Sequence, residues 1–347
     1  MNKTHLLIAW FLAALPLLAS AQGSASCNTH PRDYNALVRD SPGLLRACGK
    51  LIEGQRLHGA ALADAYVGRA MGQAGQRDFA RAVADLDAAI LLRPKAADIA
   101  LRGVYRYEGG DRPGAIADYS QALRIAPDGD TYANRGVSYL DLNDFPAAVQ
   151  DFRLALEMHP DSAAYLLRRG LAWRGLGQYA RAADDFSAAI ARGPVEEQTW
   201  CDRGISLFYD ARFAAAIADL EKCPKSDTEN YGYMRIWRYL AQARGATGSA
   251  PAPSQSNAEL ADSPDIGPGW PAPVRDLLLE RITPEALLAT PTKDSDQACE
   301  AAYYAGQYHL LHGNPGAARP LFARILPQCS RTLLEYQGAV AELKRME

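Results

Sequence analysis

Five arginines stand sixteen residues ahead of five aspartates: Arg69 and Asp85, Arg102 and Asp118, Arg135 and Asp151, Arg169 and Asp185, Arg203 and Asp219. A guanidinium fork meets a carboxylate through two parallel N–H···O bonds. A carboxylate so held can serve as an acid or a base, but a pair repeated five times at one structural height is architecture. Histidine offers little more. His309 and His312 stand three apart, within reach of one metal ion on a helix, yet no carboxylate or cysteine at ligand spacing completes a site, and His-Glu-x-x-His is absent from the sequence. His58 and His159 fall near expected helix ends, where imidazole meets terminal carbonyls. Neither a Gly-x-Ser-x-Gly elbow nor a phosphate-binding Gly-rich loop with Lys occurs. The sequence therefore predicts no catalytic, cofactor-binding or metal site, and no enzyme.

The elements that carry these arginines repeat. Arg69-Ala70, Arg102-Gly103, Arg135-Gly136, Arg169-Gly170 and Arg203-Gly204 recur with a period of 33 or 34. Behind them come Ala82, Ala115, Ala148, Ala182 and Ala216, then Leu86, Tyr119, Phe152, Phe186 and Leu220, then Ala89, Ala122, Ala155, Ala189 and Cys223. Pro94, Pro127, Pro160 and Pro194 close the first four units, because proline stops a helix. Such a period marks an all-α solenoid of helix hairpins whose units cannot bury their faces alone. Gly109-Gly110-Asp111 and Gly175-Leu176-Gly177 fall at the turns between paired helices, where glycine serves backbone geometry.

This register resembles the tetratricopeptide repeat family. Small residues at the eighth, twentieth and twenty-seventh positions let two antiparallel helices approach, and the bulky twenty-fourth fills the gap. Numbered this way, the repeats span 63–95, 96–128, 129–162, 163–196 and 197 to about 228, and Gly306, Ala318, Phe322 and Ile325 keep the same spacing in a sixth copy. The resemblance implies a right-handed superhelical solenoid and a non-enzymatic scaffold or adaptor with a protein or peptide partner. The family's groove positions carry over to Val104, Tyr107, Glu108, Asp130, Val137, Leu140, Asp141, Leu171, Arg174, Ile205, Phe208 and Tyr209. Apolar walls with Tyr and Arg anchors suit a helix or an extended peptide. The alternative is that the chain's own linker or C-terminal helix packs on part of this face. A carboxylate clamp for a free C-terminus is not evident, since Val104 and Val137 stand where basic residues would be wanted.

The start of the chain reads as a secretory signal over 1–21, with Lys3, an apolar run of 14 residues from Leu6 to Ala19, and the small-x-small site Ala19-Ser20-Ala21. That predicts export to the periplasm. A lipid anchor at Cys27 is the rival reading; Ser24 occupies the place where a lipobox wants Leu, which argues against lipidation. Six cysteines in an exported chain suggest disulfides. Repeat geometry brings Cys201 to the height of Cys223 on the paired helix, and Cys299 and Cys329 flank the last hairpin likewise. Cys27 and Cys48 remain for the N-terminal segment. The chain holds 37 basic against 40 acidic residues, a formal charge of −3, which argues against a nucleic-acid partner. No polybasic run speaks for an anionic membrane.

The expected organisation is an N-terminal capping segment over 22–62, a repeat array over 63–244 ending in an aromatic helix from Tyr231 to Arg244, a flexible linker over 245–269, and a C-terminal helical part over 270–347. The capping segment reads as a hairpin turning at Asp40-Ser41-Pro42-Gly43. Trp270-Pro271, Cys299-Glu300-Ala301, Tyr303-Tyr304-Ala305-Gly306 and Glu335-Tyr336 resemble the C-terminal part of NlpI and its relatives, the periplasmic tetratricopeptide lipoproteins. That resemblance implies partners among cell-envelope proteases and murein hydrolases. A self-associating structural role, with a homodimer formed through the aromatic and terminal helices, is the alternative.

Overall fold

The computed structural model describes Cys27 and residues 34–223, 228–245, 254–262, 266, 269–331 and 333–347. The expected signal segment lies outside them. Among the described residues every regular element is a helix, eighteen in all, and most pair into consecutive antiparallel hairpins. Two compact units divide the chain, residues 1–160 and 161–347.

The first unit holds α1 (Tyr34–Glu53), α2 (Gly59–Gly75), α3 (Phe79–Leu92), α4 (Ala96–Glu108), α5 (Arg112–Ile125), α6 (Gly129–Asp141) and α7 (Phe145–Met158). Three repeats form here as α2/α3, α4/α5 and α6/α7. Each hairpin turns on one residue in the left-handed region, Arg77, Gly110 or Asn143, and the aspartate that follows caps the second helix. Asp111, for instance, accepts from the Gly114 N–H at 2.9 Å, satisfying one of the donors a helix start leaves free. The small eighth position is needed because the bulky twenty-fourth lies on it. A Cβ on Gly103 would sit 2.7 Å from the Tyr119 ring, and one on Gly136 would sit 3.0 Å from Phe152.

The N-terminal segment departs from its expected form. Where a hairpin was expected to turn at Pro42, α1 runs through as one helix of 20 residues. Packing on α2 overrides the local turn signal: a Cβ on Gly72 would meet Leu45 and the Ser41 carbonyl, and one on Gly68 would lie 2.7 Å from Cys48 Sγ. Cys27 pairs with Cys48, with Cα atoms 5.1 Å apart.

The second unit holds α8 (Ala163–Gly175), α9 (Tyr179–Ala191), α10 (Gln198–Tyr209), α11 (Phe213–Leu220), α12 (Thr228–Gly245), α13 (Ser254–Ala261), α14 (Ala272–Leu278), α15 (Pro284–Leu288), α16 (Ser295–Leu311), α17 (Pro315–Ile325) and α18 (Leu334–Arg345). Repeats four and five are α8/α9 and α10/α11. The sixth copy forms as α16/α17, where a Cβ on Gly306 would sit 2.6 Å from the Phe322 ring, and Ala318, Phe322 and Ile325 are buried. Disulfides join Cys201 to Cys223 and Cys299 to Cys329, as the spacing predicts. Thr283 caps α15 through the Ala286 N–H at 3.3 Å.

The segment expected as a flexible linker differs in part. Residues 246–253 lie outside the described ones, but α13 occupies 254–261, and Leu260 and Ile266 are buried in the core of the unit. Among the described residues no helix is long and apolar enough to cross a membrane.

Candidate functional site

All five arginine–aspartate forks form as the spacing predicts. Arg69 Nε and Nη2 donate to Asp85 at 2.7 Å each, and Arg102, Arg135, Arg169 and Arg203 treat their aspartates likewise over 2.5 to 2.9 Å. Each fork crosses its own hairpin, and three arginines use the remaining nitrogen to reach the preceding repeat. Arg102 Nη1 meets Asp87 at 2.6 Å, Arg135 Nη1 meets Ser120 Oγ at 3.0 Å, and Arg203 Nη1 meets Ser187 Oγ at 3.1 Å. One side chain thus sets both the hairpin and the stacking register. Burial lifts the Asp151 carboxyl above the ordinary aspartate value even though the Arg135 fork opposes it. Such a pair specifies register more than it stabilises.

The groove positions divide by unit. In the first unit Val104 and Tyr107 are buried, while Glu108, Asp130, Val137 and Leu140 are half-buried and Asp141 is exposed. The Tyr107 hydroxyl donates to Asp141 Oδ2 at 2.6 Å, and the Arg112 guanidinium stacks 4.5 Å from the Tyr107 ring centre. Tyr107 is therefore held in one orientation by α5 and α6. Beside it, burial lifts the Glu108 carboxyl to about 7, with Arg77 and Arg112 pulling the other way. This half of the predicted groove is an apolar strip, Val137 and Leu140, edged by a fixed tyrosine and by carboxylates.

In the second unit the same positions are used differently. Leu171 is half-buried and Arg174 donates to Asp202 Oδ1 at 2.5 Å. Ile205, Phe208 and Tyr209 are fully enclosed, with Phe208 0 % exposed, its ring 5.1 Å from that of Trp237. The cover is the chain itself. Tyr209 donates to the Leu334 carbonyl at 2.7 Å, Tyr179 donates to the Gln337 carbonyl at 2.6 Å, and Arg345 reaches the carbonyls of Phe208 and Tyr209. Gly338 is where α18 crosses closest, since a Cβ there would lie 2.6 Å from Tyr209 Oη and from the Tyr303 ring. These three residues are core rather than groove: on this part of the face the alternative reading holds, and the C-terminal helix packs on it. On the aromatic helix that the alternative reading gave to a homodimer, Trp237 and Leu240 are enclosed in their own unit; the side chain of Tyr231 lies outside the described residues.

The same unit buries three glutamates that sequence reasoning did not single out as a group. Glu342 accepts from Arg244 Nη1 at 2.9 Å, from Arg345 Nη1 at 2.8 Å and from Gln307 Nε2 at 3.2 Å. Burial opposes its ionisation, but Arg244 and Arg345 outweigh it and hold the carboxyl below the ordinary value. Glu300 accepts from Trp270 Nε1 at 2.5 Å and Tyr233 Oη at 2.7 Å. Glu335 accepts from Tyr304 Oη at 2.9 Å, and burial, with the Glu300 charge behind it, lifts its carboxyl to about 8.

His312 Nε2 lies 3.1 Å from Glu280 Oε1 and its Nδ1 lies 2.8 Å from the Tyr308 carbonyl. Among the described residues no group of three His, Cys, Asp or Glu is placed to hold a metal ion. His58 precedes α2 without a side-chain cap bond, and His159 stands at the end of α7.

Among solved structures the chain is similar to YrrB, a TPR protein with an unusual peptide-binding site, at 20% identity and a TM-score of 0.45 over 51% of this chain and 91% of that one. A tetratricopeptide repeat protein from Parabacteroides merdae ATCC 43184 is similar at 15% identity and a TM-score of 0.49, over 81% and 98% of the two chains. MamA is similar at 15% identity and a TM-score of 0.42, over 44% and 91%. Over residues 134–197 the chain matches the tetratricopeptide repeat family.

Proposed function

We propose that this chain is a non-enzymatic scaffold that binds a peptide or protein partner on the repeat face of its first unit. The observation that carries the reading is the strip of Val137 and Leu140 beside Tyr107, which Asp141 and Arg112 hold in place. A preformed wall lowers the ordering cost of binding a flexible segment. The family match over 134–197 supports it. The finer reading is an exported periplasmic adaptor, after the signal-like start and the NlpI-like C-terminal motifs, docking cell-envelope proteases or murein hydrolases. Affinity capture from a periplasmic extract, with wild type beside Leu140→Glu, tests both levels. Enrichment of such enzymes by wild type alone supports them; the same set captured by both proteins removes the face from the account.

The second reading is a self-associating component of the envelope. Enclosure of Trp237 and Leu240 leaves the terminal helix, with Val340 exposed, as its contact. Light scattering over a concentration series decides it: a constant monomer mass sinks this alternative.

A further inference from the structure

α18 is held at its two ends by opposite electrostatics. At the C-terminal end Glu342 is matched by two cations, Arg244 and Arg345. At the N-terminal end Glu335, 4 % exposed, accepts from Tyr304 on α16, one helical turn from a second buried carboxyl, Glu300, on the same helix. Burial and the Glu300 charge oppose the ionisation of Glu335 most strongly, while its own backbone N–H and the Tyr304 hydroxyl favour it. Tyr303 on α16, Tyr209 on α10 and Tyr233 on α12 also feel its charge, and Tyr233 and Trp270 engage Glu300. Two neighbouring buried carboxyls cannot readily both ionise.

We propose that α18 is a proton-held latch: a proton on the Glu300–Glu335 pair keeps the first turns of α18 seated on α10 and α16, and its loss releases them and uncovers Tyr179 and Tyr209. The release needs no other chemistry, since the proton leaves to water and the Glu335 carboxylate follows it into solvent. Its direction is fixed by linkage. The seated carboxyl binds its proton up to about pH 8, whereas the released one loses it near the ordinary 4.5. The seated state is therefore fully favoured below the ordinary value and loses that advantage as pH rises to about 8. Glu342, at the other end, is held below its ordinary value and does not share this response. The latch concerns the second unit alone and stands whether or not the first unit binds a partner.

Hydrogen exchange of residues 334–341 at about pH 5.5 and about pH 8.5, corrected for intrinsic rates, tests the latch on the full chain. Linkage of one proton predicts an opening constant that increases about tenfold or more across this range. Glu335→Gln, which keeps the acceptor for Tyr304 without a titrating proton, is expected to abolish the increase. Glu300→Gln removes the like charge and shrinks it, and serves alone if Glu335→Gln does not fold. Equal protection of α18 at both pH values in wild type, or an unchanged increase in the variants, overturns the proposal.

Discussion

At the scale of single residues, the arginine–aspartate forks and the half-buried Glu108 make opposite uses of charge. Arg135 is committed to Asp151 across its hairpin and to Ser120 on the preceding repeat. Arg135→Ala leaves Asp151 buried without its partner and is expected to cost about 3 to 5 kcal/mol in urea unfolding, whereas the double change Arg135→Met with Asp151→Leu recovers most of it. Glu108 has no such match. Its carboxyl sits at about 7, above the ordinary 4.5, so the folded first unit binds a proton that the unfolded chain releases. Stability from this group is complete below 4.5 and lost as pH rises to about 7. Glu108→Gln is expected to flatten the pH dependence of the unfolding midpoint over that window; an unaltered slope would reject the assignment.

At the scale of elements, four of the six repeat hairpins bring an eighth-position glycine onto a twenty-fourth-position ring. Gly103 on Tyr119, Gly170 on Phe186 and Gly306 on Phe322 all leave less room than a methyl group requires. Gly170→Ala is expected to lower stability by about 1 to 3 kcal/mol through overpacking, measurable by thermal or urea unfolding; a neutral result would mean the ring can swing away. These contacts were legible in the sequence because both partners lie within one repeat and recur at a fixed spacing. So were the forks, the turn glycines at 110 and 177, and the pairing of Cys201 with Cys223. The misread elements are those decided by distant packing. Pro42 signals a local turn, yet α1 continues because Gly72 receives it. Nothing local to Tyr209 announces that its hydroxyl meets Leu334, 125 residues away. The burial of Ile205, Phe208 and Tyr209 was therefore hidden from a reading by repeat register.

At the scale of the whole molecule, the repeat pattern recurs over five hairpins, but equivalent positions are covered differently in the two units. In the first unit the positions expected to face a partner leave Leu140 half-buried and Asp141 exposed; in the second the corresponding positions receive the chain's own terminal helix. The central claim is that binding belongs to the first-unit face, and calorimetric titration of a captured partner tests it most directly. Wild type and Leu140→Glu would be compared, with circular dichroism confirming equal helix content. The account predicts an affinity loss of about tenfold or more in Leu140→Glu, equivalent to about 1.4 kcal/mol. Equal affinity in the two proteins would contradict it and move the binding surface elsewhere on the chain.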